Sequence, residues 1–306
     1  MPSSPSYKPP TVPTLHSNQN APDALRLLIA QRRLYRKAKR WLAARWLGFV
    51  VIGIAAPVVS TVWPNCAAVA GAAAGVWIFL GRTWLLTSQE IITARAAAIQ
   101  EQFDLLVFGM PSVERATHRS SPEEISLIVG GDSQVRVVAG DEHLLDWYPF
   151  KGKDGTIAIG IAQRANVAYT DSLLKTTVSA WSMVIAVWLM ALTIFAIAAG
   201  LTLGEFVLGV GLPILPAALD AIQLFNGVRR SSADKADLAQ EIEDRLAGVP
   251  NSVRPHDLLV WQSRLFELRR SAPEVPDFLY KLRRSVNERA MHAGAKELSR
   301  KASRNR

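Results

Sequence analysis

The chain has 306 residues, 49% of them hydrophobic, and carries 35 Lys and Arg against 26 Asp and Glu, a formal charge of +9. That length admits one or two water-soluble domains, but the apolar residues are not spread as a soluble protein spreads them: no charged residue occurs from Trp46 to Gly81 or from Thr176 to Gly204. Uncharged apolar runs of about 18 residues or more read as membrane spans, which excludes a wholly soluble protein. The only cysteine, Cys66, excludes an internal disulfide, so the aqueous parts need no oxidising compartment.

In chain order, the Pro/Ser-rich residues 1–22 read as a disordered arm. Residues 23–45 read as a basic cytoplasmic helix. Eight basic residues lie from Arg26 to Arg45 with no short apolar stretch before them, which does not fit a secretory signal. The first apolar run is too long for one crossing and breaks at Pro64-Asn65, predicting a transmembrane hairpin over 46–86. Gly71 and Gly75 have the G-x-x-x-G spacing that lets two helix backbones approach closely, either within the four-helix bundle, the favoured reading, or in a dimer.

Residues 87–177 read as a small cytoplasmic α+β middle module with twelve acids against eight bases. A helix from Ser88 to Phe103 leads into a strand-like run, Leu105 to Gly109. A second helix starts at Ser121-Pro122-Glu123-Glu124, and a third, from Ile157, runs on toward the membrane. A second transmembrane hairpin follows over 178–225. Its last span carries Gly209, Gly211, Pro213 and Pro216, which predict a kink, and Asp220 near its cytoplasmic end. An acid inside a span is a functional candidate, with a solvated role equally open this close to the interface. Residues 226–306 read as a cytoplasmic tail of three helices.

Basic residues are retained on the cytoplasmic side. Residues 1–45 carry nine Lys and Arg against one acid, and the tail carries seventeen against eleven, whereas the two hairpin turns hold no base and the single acid Glu205. Both termini and the middle region are therefore expected in the cytoplasm.

Catalytic patterns are missing. The five histidines are scattered, no H-E-x-x-H, Walker, G-x-S-x-G or G-x-G-x-x-G motif occurs, and one cysteine makes no thiolate zinc site. No enzyme activity, cofactor or metal is expected.

The stretch Arg269-Arg270-Ser271-Ala272-Pro273-Glu274-Val275-Pro276-Asp277-Phe278-Leu279-Tyr280 reads locally as one helix ending, two prolines and another helix starting. It is also similar to the most recognisable C-terminal segment of the SMODS-associating four-transmembrane effector family. The chain resembles that family through further segments in order: Asp23 to Tyr35, Phe103-Asp104 with Val107 to Pro111, Asp146-Trp147-Tyr148-Pro149, and Gln163-Arg164-Ala165-Asn166 with Tyr169 and Asp171. One departure is that Asp171 stands one residue beyond the family's Asn-x-x-Trp-Asp spacing.

The resemblance implies a multi-pass effector in the bacterial inner membrane, encoded beside a cyclic-nucleotide synthase. A cyclic di- or oligonucleotide second messenger would activate it to disrupt the bilayer and arrest the infected cell. A homo-oligomer is expected and DNA binding is not. Nucleotides take guanidinium groups at phosphates and aromatic faces at bases, so the candidate ligand residues are Trp147, Tyr148, Arg164, Asn166, Tyr169, Arg269, Arg270 and Tyr280. Each also suits plain packing of the middle region on the tail. Gating candidates are Gly71, Gly75, Pro213, Pro216 and Asp220. A constitutive channel or transporter component and a membrane-anchored adaptor are the alternatives.

Overall fold

The computed structural model describes residues 7–111, 120–131, 134–150, 154–248 and 253–304. Every regular element among them is helical: α1 (Val12–Gln19), α2 (Pro22–Val62), α3 (Ala67–Leu80), α4 (Leu86–Phe108), α5 (Pro122–Val129), α6 (Val135–Asp141), α7 (Gly155–Ala198), α8 (Leu203–Phe206), α9 (Leu212–Ala247), α10 (Pro255–Arg270) and α11 (Asp277–Arg304). A 3-10 turn, Pro64–Cys66, joins α2 to α3, and π-helical segments at Gly81–Leu85 and Val207–Gly211 lead into α4 and α9.

The organising unit is a long helical hairpin, used twice. Helix α2 runs unbroken from the basic segment through the first apolar run, and the chain returns through α3 and α4, with α2 packed along both. Helix α7 rises the same way and, after a turn that carries α8, α9 returns beside it. The second turn closes by reciprocal capping: Thr202 N–H donates to Glu205 Oε2 at 2.8 Å and Glu205 N–H donates to Thr202 Oγ1 at 3.3 Å. The lone acid of that turn is therefore a cap that satisfies helix-end donors.

The shorter helices gather at the charged end of the hairpins. Helix α10 lies against α4, α7 and α9, α11 against α7 and α9, α1 against α4, and α5 and α6 against α2. Their shared core includes Leu28, Phe103, Phe108, Ile159, Leu238, Ile242, Leu258 and Trp261. Full burial of one such side chain contributes roughly 1.5–3 kcal/mol. The middle region and the tail thus share one core.

Three expectations are corrected. No strand occurs among the described residues, so the middle region is helical and not α+β. The run Leu105 to Phe108 is the last turn of α4, which Gly109 ends at φ +62° in the left-handed region. A short apolar run of this kind does not distinguish strand from buried helix end.

The supposed disordered arm is ordered from Tyr7 onward. Leu15 is fully buried, the Tyr7 hydroxyl donates to the Phe108 carbonyl at 2.8 Å, and Asn18 Nδ2 donates to the Val107 carbonyl at 3.2 Å. The arm supplies donors to carbonyls that α4 leaves unpaired at its C-terminus. Thirdly, Gly71 and Gly75 are exposed and do not face the bundle: among the described residues a Cβ at either position meets nothing within 4 Å. The approach of α2 to α3 instead uses Gly48, which seats the Trp77 indole, and the buried Ala74.

The last span, where a kink is expected, opens with the π segment Val207–Gly211. The side chains of Pro213 and Pro216 lie outside the described residues.

Gly155, at the start of α7, faces the Pro10 carbonyl oxygen, which a Cβ there would overlap. Overpacking of this kind costs about 1–3 kcal/mol. Gly155→Ala is therefore expected to lower the thermal unfolding midpoint and to increase protease cleavage near the N-terminus.

Candidate functional site

Helix α4 places Glu101 and Asp104 three residues apart on one face, and both are buried, Asp104 completely. A carboxylate withdrawn from water needs donors on its oxygens, and three reach Asp104. Arg269 Nη1 donates to Oδ2 at 2.5 Å, Gln262 Nε2 donates to Oδ2 at 3.0 Å, and the Tyr148 hydroxyl donates to Oδ1 at 2.7 Å. Gln262 and Arg269 stand two turns apart on α10, so a single face of that helix carries both donors.

The network extends outward. Gln262 Nε2 also donates to Glu101 Oε2 at 2.7 Å, and Gln163 Nε2 of α7 donates to Gln262 Oε1 at 3.0 Å and to the Leu258 carbonyl at 2.9 Å. Asn166 Nδ2 reaches the Tyr148 hydroxyl at 3.4 Å. From α1, Gln19 accepts from Tyr148 N–H at 2.9 Å and returns a donor to its carbonyl at 3.4 Å. Through Asp104, the sequence segments around Gln19, Phe103, Tyr148, Gln163 and Arg269 become one joint.

Two acids share one guanidinium there, Arg269 Nη1 standing 2.5 Å from Asp104 and 3.8 Å from Glu101. Burial pushes the Glu101 carboxyl up to about 8, with the Asp104 charge adding and Arg269 and Gln262 opposing. Burial works against the Arg269 charge, but Asp104, followed by Tyr148 and Glu101, more than offsets it and holds the guanidinium firmly protonated. Burial, reinforced by Asp104, pushes the Tyr148 hydroxyl well above its ordinary range. At neutral pH the joint is therefore a protonated Glu101 beside an Asp104–Arg269 ion pair. Among the described residues, Arg269 Nε and Nη2 have no acceptor.

The connector after α10 is fixed as well. Glu274 Oε1 accepts from Thr93 Oγ1 at 2.9 Å, and Val275 packs with Leu173, Leu174, Val228 and Leu279, against which Tyr169 rests. Asp171, displaced by one residue from the family spacing, pins α7 to α9: its Oδ1 accepts from Ser232 Oγ at 2.5 Å and its Oδ2 pairs with Lys175 at 2.7 Å.

Of the candidate ligand residues, Tyr148, Asn166 and Arg269 meet in the joint. Trp147 is half-buried beside it and Arg270 is exposed at the end of α10. Arg164 is separate, bonded through Nη2 to Glu243 of α9 at 2.9 Å. The side chain of Tyr280 lies outside the described residues.

Asp220 is only 3% exposed and pairs with Arg45 and Arg82, which removes the solvated role of the two left open by the sequence. The basic helix is also a fastening element. Arg32 and Arg36 pair with Glu142, and Arg33 donates to the Ile128 and Val129 carbonyls at 2.7 and 2.9 Å, fastening α5 and α6.

Glu101→Gln keeps the acceptor that Gln262 uses and removes the buried acid. The folded-state pKa of Glu101 is raised, so between about 4.5 and 8 the unfolded chain releases a proton that the folded chain keeps, and stability falls as pH rises through that window. The variant is expected to lose this decline and to gain roughly 2–4 kcal/mol relative to wild type by pH 8, read from denaturant midpoints across pH.

Two described helical stretches, Ala68–Phe108 and Gly155–Ala198, are long and apolar enough to cross a membrane. Comparison with curated proteins and with solved structures gives no match. A family model described as the SMODS-associating 4TM effector domain matches residues 13–298. With nearly the whole chain inside that match, joint and apolar hairpins alike, the protein belongs to the SMODS-associating 4TM effector domain family.

Proposed function

We propose that the protein is a four-span effector of the bacterial inner membrane, activated by a cyclic di- or oligonucleotide made by an associated synthase, which compromises the bilayer and arrests the infected cell. The observation that carries this reading is continuity. Helices α2, α4, α7 and α9 each belong both to the apolar hairpins or their direct extensions and to the buried cytoplasmic core, so a ligand that shifts the core shifts the spans.

Four crossings are supported by a common level. Arg45, Trp46, Arg82, Trp84, Trp181 and Asp220 stand at the same end of the two hairpins, with Trp46 against Trp181 at 4.2 Å and Trp41 against Trp84 at 5.5 Å between ring centroids. Tryptophans gather at the headgroup level of a bilayer. From this level to each turn every helical segment spans roughly 24–27 Å at 1.5 Å per residue, close to the thickness of the hydrocarbon core. Val50, Ile54, Phe79, Met190, Ile197 and Leu208 lie exposed along these segments, which suits lipid and not water. The outward Gly71 and Gly75 suit close packing against a second copy.

Tyr148 and Arg269 are already engaged within the joint. First contact with the nucleotide therefore falls to the exposed Arg270, to Trp147 beside the joint and to the partly exposed Arg164, which would exchange its Glu243 partner for phosphate, with displacement of the joint as the consequence. The test uses purified protein in dye-loaded vesicles of phosphatidylethanolamine and phosphatidylglycerol. Leakage is expected on adding one of a panel of cyclic di- and oligonucleotides, and Arg164→Ala with Arg270→Ala is expected to weaken binding by about tenfold or more at unchanged thermal stability. Leakage without nucleotide would instead indicate a constitutive channel, and neither binding nor leakage an adaptor.

A further inference from the structure

Asp220 sits where three of the membrane helices end. It is 3% exposed and accepts from Arg45 of α2, whose side chain is 6% exposed. It also accepts from Arg82 Nε at 3.0 Å, and Arg82 Nη2 reaches Gln223 Oε1 at 3.4 Å. One carboxylate thus ties the cytoplasmic end of the first span, the π segment between α3 and α4, and the last span. Arg45 is held from behind by the Phe49 ring, 5.6 Å from its guanidinium carbon. Arg82 lies inside the π segment Gly81–Leu85, and widening a helix by one such turn re-aims the side chains it contains.

We infer that the Arg45–Asp220–Arg82 cluster is the clasp that holds the membrane bundle closed at rest, and that activation opens it. The inference rests on the membrane-effector reading above. A buried ion cluster is a poor source of stability, since apolar residues of similar volume serve as well or better. It is well suited to a reversible latch, because its members regain water and lipid phosphate once they separate. Each strand of the clasp also leads into the cytoplasmic core. Helix α2 carries Arg32 and Arg36 to Glu142, α4 carries Glu101 and Asp104 to the joint, and α9 carries Ser232 to Asp171. Arg82 and Glu101 are separated by roughly 28 Å of continuous helix, so a displaced joint turns or draws the helix that bears one clasp arginine.

The experiment compares wild type, Asp220→Asn, Asp220→Glu, Arg82→Gln and Leu238→Ala in the same dye-loaded vesicles, with thermal stability measured for each. Asp220→Asn and Arg82→Gln are expected to leak without nucleotide, Asp220→Asn at about ten times the wild-type rate or more. Asp220→Glu, which keeps the charge, should remain near wild type. Leu238→Ala removes a buried cytoplasmic side chain and should lower stability without causing leakage. The clasp is overturned if Asp220→Asn stays sealed while wild type leaks on adding a cyclic nucleotide, a result that leaves the effector reading standing. It is also overturned if Leu238→Ala or Asp220→Glu leaks as fast as Asp220→Asn. If no variant leaks and wild type stays sealed with every nucleotide in the panel, the effector reading itself fails.

Discussion

The half of the molecule beyond the apolar hairpins is arranged around one desolvated carboxylate. Asp104 lies fully buried on α4 and is tolerable there only because α10 brings Arg269 and Gln262 to one oxygen and the turn before α7 brings the Tyr148 hydroxyl to the other. Breaking a buried pair strands the remaining charge at a cost of about 3–5 kcal/mol, far above the value of any single surface contact in the chain. That requirement fixes the angle of α10 against α4. It sets the position of Tyr148, and through Gln19 it draws the N-terminal arm over the end of α4. Glu101, uncharged beside the pair, spares the joint a second uncompensated anion.

The same logic recurs at the membrane face on a smaller scale. Asp220 is again an acid removed from water and satisfied by guanidinium groups from elements remote in sequence. The two clusters are linked by unbroken helix, so neither half of the protein is a detachable module. A change in the buried core is carried directly along α2, α4, α7 and α9.

What local pattern encodes was legible in the sequence. The uncharged runs, the break at Pro64-Asn65, the Ser121 cap, the end of α10 and the start of α11 come from hydropathy, proline placement and capping chemistry, which act over a few residues. The arm was misread because its Pro and Ser content resembles that of unstructured chain, whereas its order comes from docking Tyr7, Leu15 and Asn18 onto α4. The strand reading of Leu105 to Phe108 failed because four apolar residues carry no usable period. Asp104 and Arg45 were the residues least visible beforehand, since their partners lie 165 and 175 positions away and no local spacing announces such pairs. An acid embedded between Phe103 and Val107 was the one available sign that α4 buries a charge.

Cys66, the only cysteine, lies exposed in the 3-10 turn between α2 and α3, so the chain carries its own probe of the arrangement. The account places that turn across the membrane from the Asp104–Arg269 joint. A membrane-impermeant maleimide should therefore label Cys66 in spheroplasts and fail to label it in sealed inverted inner-membrane vesicles. Labelling in the inverted vesicles alone would put the turn in the cytoplasm and would contradict the account.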